Sequence, residues 1–164
     1  MDTRKQEVAQ RMERFQQVCR DAGAKLTHQR VEVFREVAQT GDHPDVETIY
    51  QRVRERIPTV SLDTIYRTLW LLTDLGLIQT LGLSRDRARF DANLDRHHHF
   101  VCVKCGLTRD FYSNKFDEMA LTESLKAFGR VEATHVEARG VCLECAGREA
   151  ETPPVPNKQK ELKS

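Results

Sequence analysis

Ser61-Leu-Asp-Thr-Ile-Tyr-Arg-Thr-Leu-Trp-Leu-Leu-Thr-Asp-Leu-Gly76 is the stretch on which the fold turns. Leu62, Ile65, Leu69 and Leu72 recur at helical spacing and predict one apolar face. Thr64, Arg67 and Thr68 fall on the opposite face, with Tyr66 at its flank. Ser61 is a residue type that caps a helix N-terminus, and Gly76 one that ends a helix.

Upstream, the same pattern repeats. Residues 3–22 carry Val8, Met12, Phe15 and Val18 at spacings of 4, 3 and 3, a first amphipathic helix stopped by Gly23. Thr27 can cap a second helix whose apolar face is Val31, Phe34, Val37 and Ala38. After Gly41-Asp42-His43-Pro44, Asp45 can cap a third through Val46, Ile49, Tyr50, Val53 and Ile57, closed by Pro58. Downstream, residues 77–83 and 88–90 read as two short strands joined by Ser84-Arg85-Asp86-Arg87. Helices two to four followed by a basic-tipped hairpin make a winged helix-turn-helix pattern. Such a pattern places the fourth helix in a major groove, with Arg85 and Arg87 on phosphate or the minor groove.

Charge gives that reading no help. The chain of 164 residues has a formal net charge of +1, and residues 1–87 hold 14 Lys and Arg against 13 Asp and Glu. A nucleic-acid surface must therefore be a local patch. No run approaches the roughly 18 apolar residues of a membrane span, and the charged start is unlike a signal peptide. A cytoplasmic protein is expected. In that reducing compartment, close cysteine pairs are metal ligands or redox centres more often than disulfides. The fifth cysteine, Cys19, lies among Phe15 and Val18 and reads as a helix-packing residue.

From Asp91 onward the composition changes. Residues 96–103, 107–112 and 130–141 read as strands and 116–128 as a helix, a small α+β module. Cys102-Val-Lys-Cys105 and Cys142-Leu-Glu-Cys145 stand 36 residues apart within it. Four thiolates in two knuckles satisfy a tetrahedral zinc ion, and a module burying so little apolar surface needs such a staple. His97, His98 and His99 precede the first pair. Side chains alternate along a strand, so His97 and His99 share one face while His98, Phe100 and Cys102 share the other. His97 and His99 then form a chelating pair, for which Asp91 and Asp110 are carboxylates at fitting positions. A triple histidine run also occurs as plain surface polarity.

Taken together, Thr-His-Gln-Arg (27–30), His43-Pro44, Thr64-Ile-Tyr-Arg-Thr-Leu69, Gly76-Leu-Ile78, Arg89-Phe-Asp91, His97-x-His99 and both cysteine pairs resemble the Fur family of bacterial metal-responsive repressors. The match runs in order from about residue 8 to 146. The resemblance implies a winged-helix DNA-binding domain over 1–83, a hinge over 84–94, a zinc-containing dimerisation domain over 95–147 and a disordered tail over 148–164. It implies structural Zn2+ at Cys102, Cys105, Cys142 and Cys145, and a regulatory Fe2+ or Mn2+ at His43, Asp91, His97, His99 and Asp110. It further implies a homodimer on a palindromic double-stranded operator, with DNA contacts among Lys25, Gln29, Arg30, Ser61, Thr64, Tyr66, Arg67, Arg85 and Arg87.

A ligand set of three His and two Asp is most similar to the peroxide-sensing PerR type, in which a ligating histidine, here His43 or His97, is oxidised. Iron- or zinc-responsive repression without peroxide chemistry is the alternative. Iron sensors of the family have a further site built partly from a histidine where Arg96 stands, which leaves the place of His98, Asp117 and His135 open. Two other classes compete. His135-x-Glu137 ahead of Cys142-x-x-Cys145 superficially resembles a zinc deaminase signature, but it leaves Cys102 and Cys105 unexplained. A zinc-stabilised redox or interaction module leaves His43, Asp91 and Asp110 idle.

Overall fold

The computed structural model describes residues 3–81 and 88–151. The strand-joining loop with Arg85 and Arg87, and residues 152–164 of the tail, lie outside the described residues. The chain divides into two compact units, Met1–His97 and His98–Ser164. Among the described residues no helix is long and apolar enough to cross a membrane.

In the first unit four helices form where the capping chemistry predicts them. α1 (Thr3–Asp21) leads to α2 (His28–Gln39), α3 (Val46–Arg56) and α4 (Leu62–Asp74). The side chains of Thr27, Asp45 and Ser61 accept the backbone N–H of Arg30, Thr48 and Thr64, each satisfying an otherwise orphaned helical donor. At the far end of α4, Gly76 takes φ +65° while its N–H reaches Thr73 O and that of Leu77 reaches Leu72 O. This left-handed closure suits glycine, which has no Cβ to clash.

One apolar core unites these helices. Ile65, Leu69 and Leu72 are fully buried and pack with Phe15, Val33, Phe34, Val37, Ile49 and Val53. Each such side chain contributes about 1.5–3 kcal/mol by leaving water. Phe15 of α1 stacks on Phe34 of α2 with ring centroids 4.6 Å apart. Arg4 and Arg11 of α1 donate to the carbonyls of Gln39 and Ala38 at the end of α2, where such acceptors are orphaned. Cys19 is buried in the same core, and burial raises its thiol pKa despite the nearby charge of Arg30. Two assignments on α4 need correction. Leu62, in the first turn, is 36% exposed, whereas Thr68 is buried. The packed stripe is therefore rotated toward the 65-68-69-72 positions.

β1 (Gln79–Leu81) and β2 (Arg89–Asp91) pair antiparallel, with Gln79 opposite Asp91. This gives the described part of the winged-helix hairpin. Phe90 joins the core and meets Trp70 of α4 edge-on at 6.0 Å. Behind the core face, two buried carboxylates, Glu32 and Glu36, are held by arginines of α3. Arg56 donates to both, at 2.7 and 2.8 Å, and Arg52 bridges Glu36 to Asp42. Arg35 also pairs with Glu32. Several of this unit's cations are thus committed to internal ion pairs.

The second unit is a three-stranded sheet of order β4-β3-β5. β3 (His98–Cys102) pairs antiparallel with β4 (Thr108–Phe111) and parallel with β5 (Glu137–Gly140). The helix expected over 116–128 is instead two short pieces, α5 (Asn114–Asp117) and α6 (Glu123–Phe128). Neither has a side-chain cap bond or a buried residue, so nothing holds one continuous helix. The strand expected over 130–141 contracts to β5. A final helix, α7 (Leu143–Glu151), was not expected from the sequence and runs into the segment read as tail.

Candidate metal centres

The second unit gathers all four cysteines. One sulfur from each of Cys102, Cys105, Cys142 and Cys145 lies within 4.8 Å of the others. Local structure explains the convergence. Cys102 ends β3, and the chain reverses so that the Gly106 N–H returns to Cys102 O, with Gly106 at φ +74°. β5 runs parallel to β3, places Gly140 beside Cys102 in register, and delivers Cys142 to the start of α7. There the Cys142 N–H donates to Cys102 Sγ at 3.3 Å. A Cβ on Gly140 would come within 3.2 Å of the Phe100 ring, so glycine lets β5 approach this closely.

Four thiols this close cannot all ionise without a cation among them. Backbone hydrogen bonds from Cys105 and Cys142 bring the Cys102 thiol down to about 6, making it the readiest thiolate. Cys145 is pushed up to about 12, chiefly by its hydrogen bond with Cys142 and by burial. A tetrahedral cation with thiolate ligands, such as Zn2+, would resolve that frustration, and the donor set fits structural zinc. The deaminase reading fails at this point, because Cys142 and Cys145 close on Cys102 and Cys105.

A different chemistry occupies the end of the first unit. His43, Asp91 and His97 are all buried, and one ligand atom from each lies within 4.8 Å of the others. Asp91 Oδ2 stands 2.9 Å from His97 Nε2 and 3.8 Å from His43 Nε2. The ring Nδ1 of His97 lies 2.6 Å from the carbonyl of Asp95. A carbonyl only accepts, so Nδ1 carries the proton and Nε2 presents a lone pair to Asp91. Two acceptors facing each other at 2.9 Å require a positive centre, either a proton or a metal ion. The nitrogen and oxygen donors fit Fe2+ or Mn2+.

His43 sits in the loop between α2 and α3 at φ +51°, a rare conformation for a non-glycine residue. Several bonds hold it there. Arg89 donates to the His43 carbonyl at 3.3 Å, and the Phe90 N–H donates to Pro44 O. Asp42 on one side is anchored by Arg52. Burial works against ionisation of Asp42, but the hydrogen bonds and charge of Arg52 outweigh it and hold the carboxyl below its usual value. Gln79 and Asn93, which carried no signal in the sequence, both bond Asp91. Gln79 Nε2 donates to Oδ2 at 3.1 Å and the Asn93 N–H to Oδ1 at 2.7 Å.

Within the second unit His99 and Asp110 are register partners on β3 and β4, with Nε2 and Oδ1 3.7 Å apart. The three residues left open separate from one another. His98 Nδ1 accepts the Val136 N–H, so its proton sits on Nε2, which faces Asp117 Oδ1 at 3.4 Å between Phe111 and Phe116. His98 Nε2 is buried and makes no hydrogen bond, so the ring is bonded at Nδ1 alone. His135 is exposed and lies edge-on to His99, with centroids 5.9 Å apart.

The predicted DNA contacts in the first unit cluster around the starts of α2 and α4. Lys25 is exposed and its carbonyl accepts from Arg30; Gln29 and Arg30 lie in the first turn of α2. The Ser61 and Thr64 hydroxyls bond each other at 2.9 Å within the α4 cap. Tyr66 packs partly against the core, and Arg67, 81% exposed, pairs with Asp63.

The model of the ferric uptake regulator family matches residues 21–137. The chain is 35% identical over 129 residues to the peroxide-responsive repressor PerR of Staphylococcus epidermidis, covering 77% of this chain and 84% of that protein. Its fold is similar to that of the Helicobacter pylori ferric uptake regulator, with TM-score 0.67 at 24% identity over 85% of this chain and 93% of that one. It is also similar to the Campylobacter jejuni peroxide stress regulator, with TM-score 0.58 at 28% identity over 71% and 88%. A thiolate centre in one unit, a histidine and carboxylate centre ending the other, and a family match across both place the chain in the ferric uptake regulator family.

Proposed function

We propose that the protein is a dimeric, metal-dependent transcriptional repressor whose hold on DNA is cancelled by peroxide. The observation that carries this reading is the buried trio of His43, Asp91 and His97, with its facing lone pairs. The first unit serves as the DNA-binding half and the second as the dimer half. His43, Asp91 and His97 of the first, with His99 and Asp110 of the second, share one Fe2+ or Mn2+. An ion that needs donors from both units favours the arrangement that brings them together, and that arrangement favours the ion in return.

Fe2+, when held by these residues, would supply the electrons that activate peroxide. The chain's part is to hold an imidazole beside it. The net change is one ring carbon gaining an oxygen from H2O2 with release of water, a two-electron oxidation of His43 or His97. An oxygenated ring is a poorer ligand, so the ion and the DNA-competent arrangement are lost together. The peroxide-responsive relatives support this choice over plain metal sensing. On DNA, α4 enters the major groove of a palindromic operator with Thr64, Tyr66 and Arg67. Ser61, Gln29, Arg30, Lys25, Arg85 and Arg87 flank it.

Two measurements test the reading. A gel shift on operator DNA should appear with Mn(II) or Fe(II) and vanish on chelation; binding that ignores metal would remove the repressor proposal. After Fe(II) and dilute peroxide, mass spectrometry should find one added oxygen on the peptide holding His43 or His97. No adduct, with DNA binding governed by Fe(II) or Zn(II) alone, would make the protein an iron- or zinc-responsive repressor.

A further inference from the structure

Gln79 is a neutral side chain placed where it determines what Asp91 can do. It begins β1 directly opposite Asp91 in the β1–β2 register. Its amide nitrogen donates twice, to Asp91 Oδ2 at 3.1 Å and to the Asn93 carbonyl at 2.9 Å. Both hydrogens of the NH2 group are thereby used, which fixes its plane. The Asn93 N–H meanwhile takes Asp91 Oδ1 at 2.7 Å.

These bonds orient a buried carboxylate. Oδ2 is the oxygen nearest both imidazoles, 2.9 Å from His97 Nε2 and 3.8 Å from His43 Nε2. With one lone pair of Oδ2 engaged by Gln79, the other is the one free to turn toward the imidazoles. Without Gln79 the carboxylate can rotate about its Cβ–Cγ bond and exchange its oxygens. An outer partner of this kind sets ligand orientation without touching the ion.

We propose that Gln79 is a positioning residue of the regulatory site: it aims Asp91 Oδ2 at the ion and, being part of β1, ties the site to the register of the β1–β2 pair. The inference rests on the regulatory metal proposed above. The Asn93 carbonyl bond extends the link, because it clamps β1 to the segment that leads from Asp91 toward His97.

The test uses the full-length, zinc-loaded protein and three forms: wild type, Gln79→Met and Gln79→Lys. Met keeps the length of the side chain and removes the donor; Lys restores a donor at the end of an unbranched chain. Mn(II) affinity is measured by electron paramagnetic resonance of the free ion, and Co(II) absorption reports ligand geometry. Wild type should bind one Mn(II) beyond its zinc. Gln79→Met should bind it about 10–100-fold more weakly, with a shifted Co(II) band, and Gln79→Lys, which restores a donor but sets a cation beside the ion, should not recover the affinity. If Gln79→Met does not fold, Gln79→Ser, too short to span the gap, takes its place. Equal affinity and an unmoved Co(II) band in the donorless variant would overturn the role of Gln79 alone. A wild-type chain binding no second metal would overturn the regulatory site itself.

Discussion

The two units are held together by different forces. The first buries a continuous hydrocarbon core drawn from four helices and β2, including three aromatic rings, Phe15, Phe34 and Phe90. Among the described residues of the second, the buried cluster consists of Cys102, Cys142 and Cys145, with Phe100 and Leu107 packed against it. Several of its apolar side chains face outward, Phe128 at 88% exposure and Leu143 at 92%. One unit is stabilised by removal of carbon from water, the other by ligand bonds. The lesson is that metal can act twice in one chain in unrelated ways, once as a substitute for a core and once as a signal.

The sharpest way to break the comparison is to take away the thiolate ion. Stripping zinc, or Cys142→Ser, should unfold the sheet of the second unit, because structural zinc in small modules supplies on the order of 10 kcal/mol. The helices of the first unit should stay intact. Limited proteolysis should cut beyond residue 98 and spare residues 3–81, and loss of both units together would refute independent stabilisation.

The reciprocal substitution is Leu69→Ala. It removes a fully buried side chain from the first core and should cost about 2–5 kcal/mol, while zinc content stays stoichiometric. Denaturant unfolding followed on α-helical circular dichroism, with a zinc assay on the same samples, reads both. A fall in zinc content would show that the units share their stability.

A smaller effect sharpens the picture of the first unit. Asp45 caps α3, and although burial works against its ionisation, hydrogen bonds from Thr48 and the charge of Arg89 hold its carboxyl below the usual value. A depressed folded-state pKa gives stability that is complete above the unfolded value, about 3.9, and drains away as pH falls through the lower folded value. Asp45→Ala in the metal-free protein should therefore cost about 1 kcal/mol at neutral pH and less below pH 4. A gap between the melting curves that does not narrow in acid would show that the carboxylate charge is irrelevant to the cap.

How much of this was legible in the sequence follows the same division. In the first unit the helix ends were readable to within a residue or so, since Thr27, Asp45, Ser61 and Gly76 act locally and the apolar stripes agree with them. Leu62 departs from the sequence pattern because an apolar residue in the first turn lies at the edge of the stripe, where packing ends. In the second unit Leu121, Leu125 and Phe128 stand at helical spacing, yet all face out, so the helix read over 116–128 is not enforced by burial. β5 is short for the same reason. The four cysteines were legible because spacing alone constrains thiolates. Asp91 and Asp110 stand out by position beside the His97 and His99 pair, His43 emerges only through resemblance to a family, and Gln79 by neither route, since only the β1–β2 register brings it to Asp91.

The parallel pairing of β3 with β5 has a consequence for the order of folding. β3 and β4 are joined by a five-residue knuckle and can zip locally, whereas β5 must return across the whole segment containing α5 and α6 to reach its place beside His99 and Cys102. Closing so long a loop costs conformational entropy before any contact rewards it, and non-local pairings of this kind slow folding. Cys142 and Cys145 follow β5 directly, so an ion already held by Cys102 and Cys105 captures the returning chain. Refolding of the second unit is therefore expected to be faster with Zn2+ present than without it.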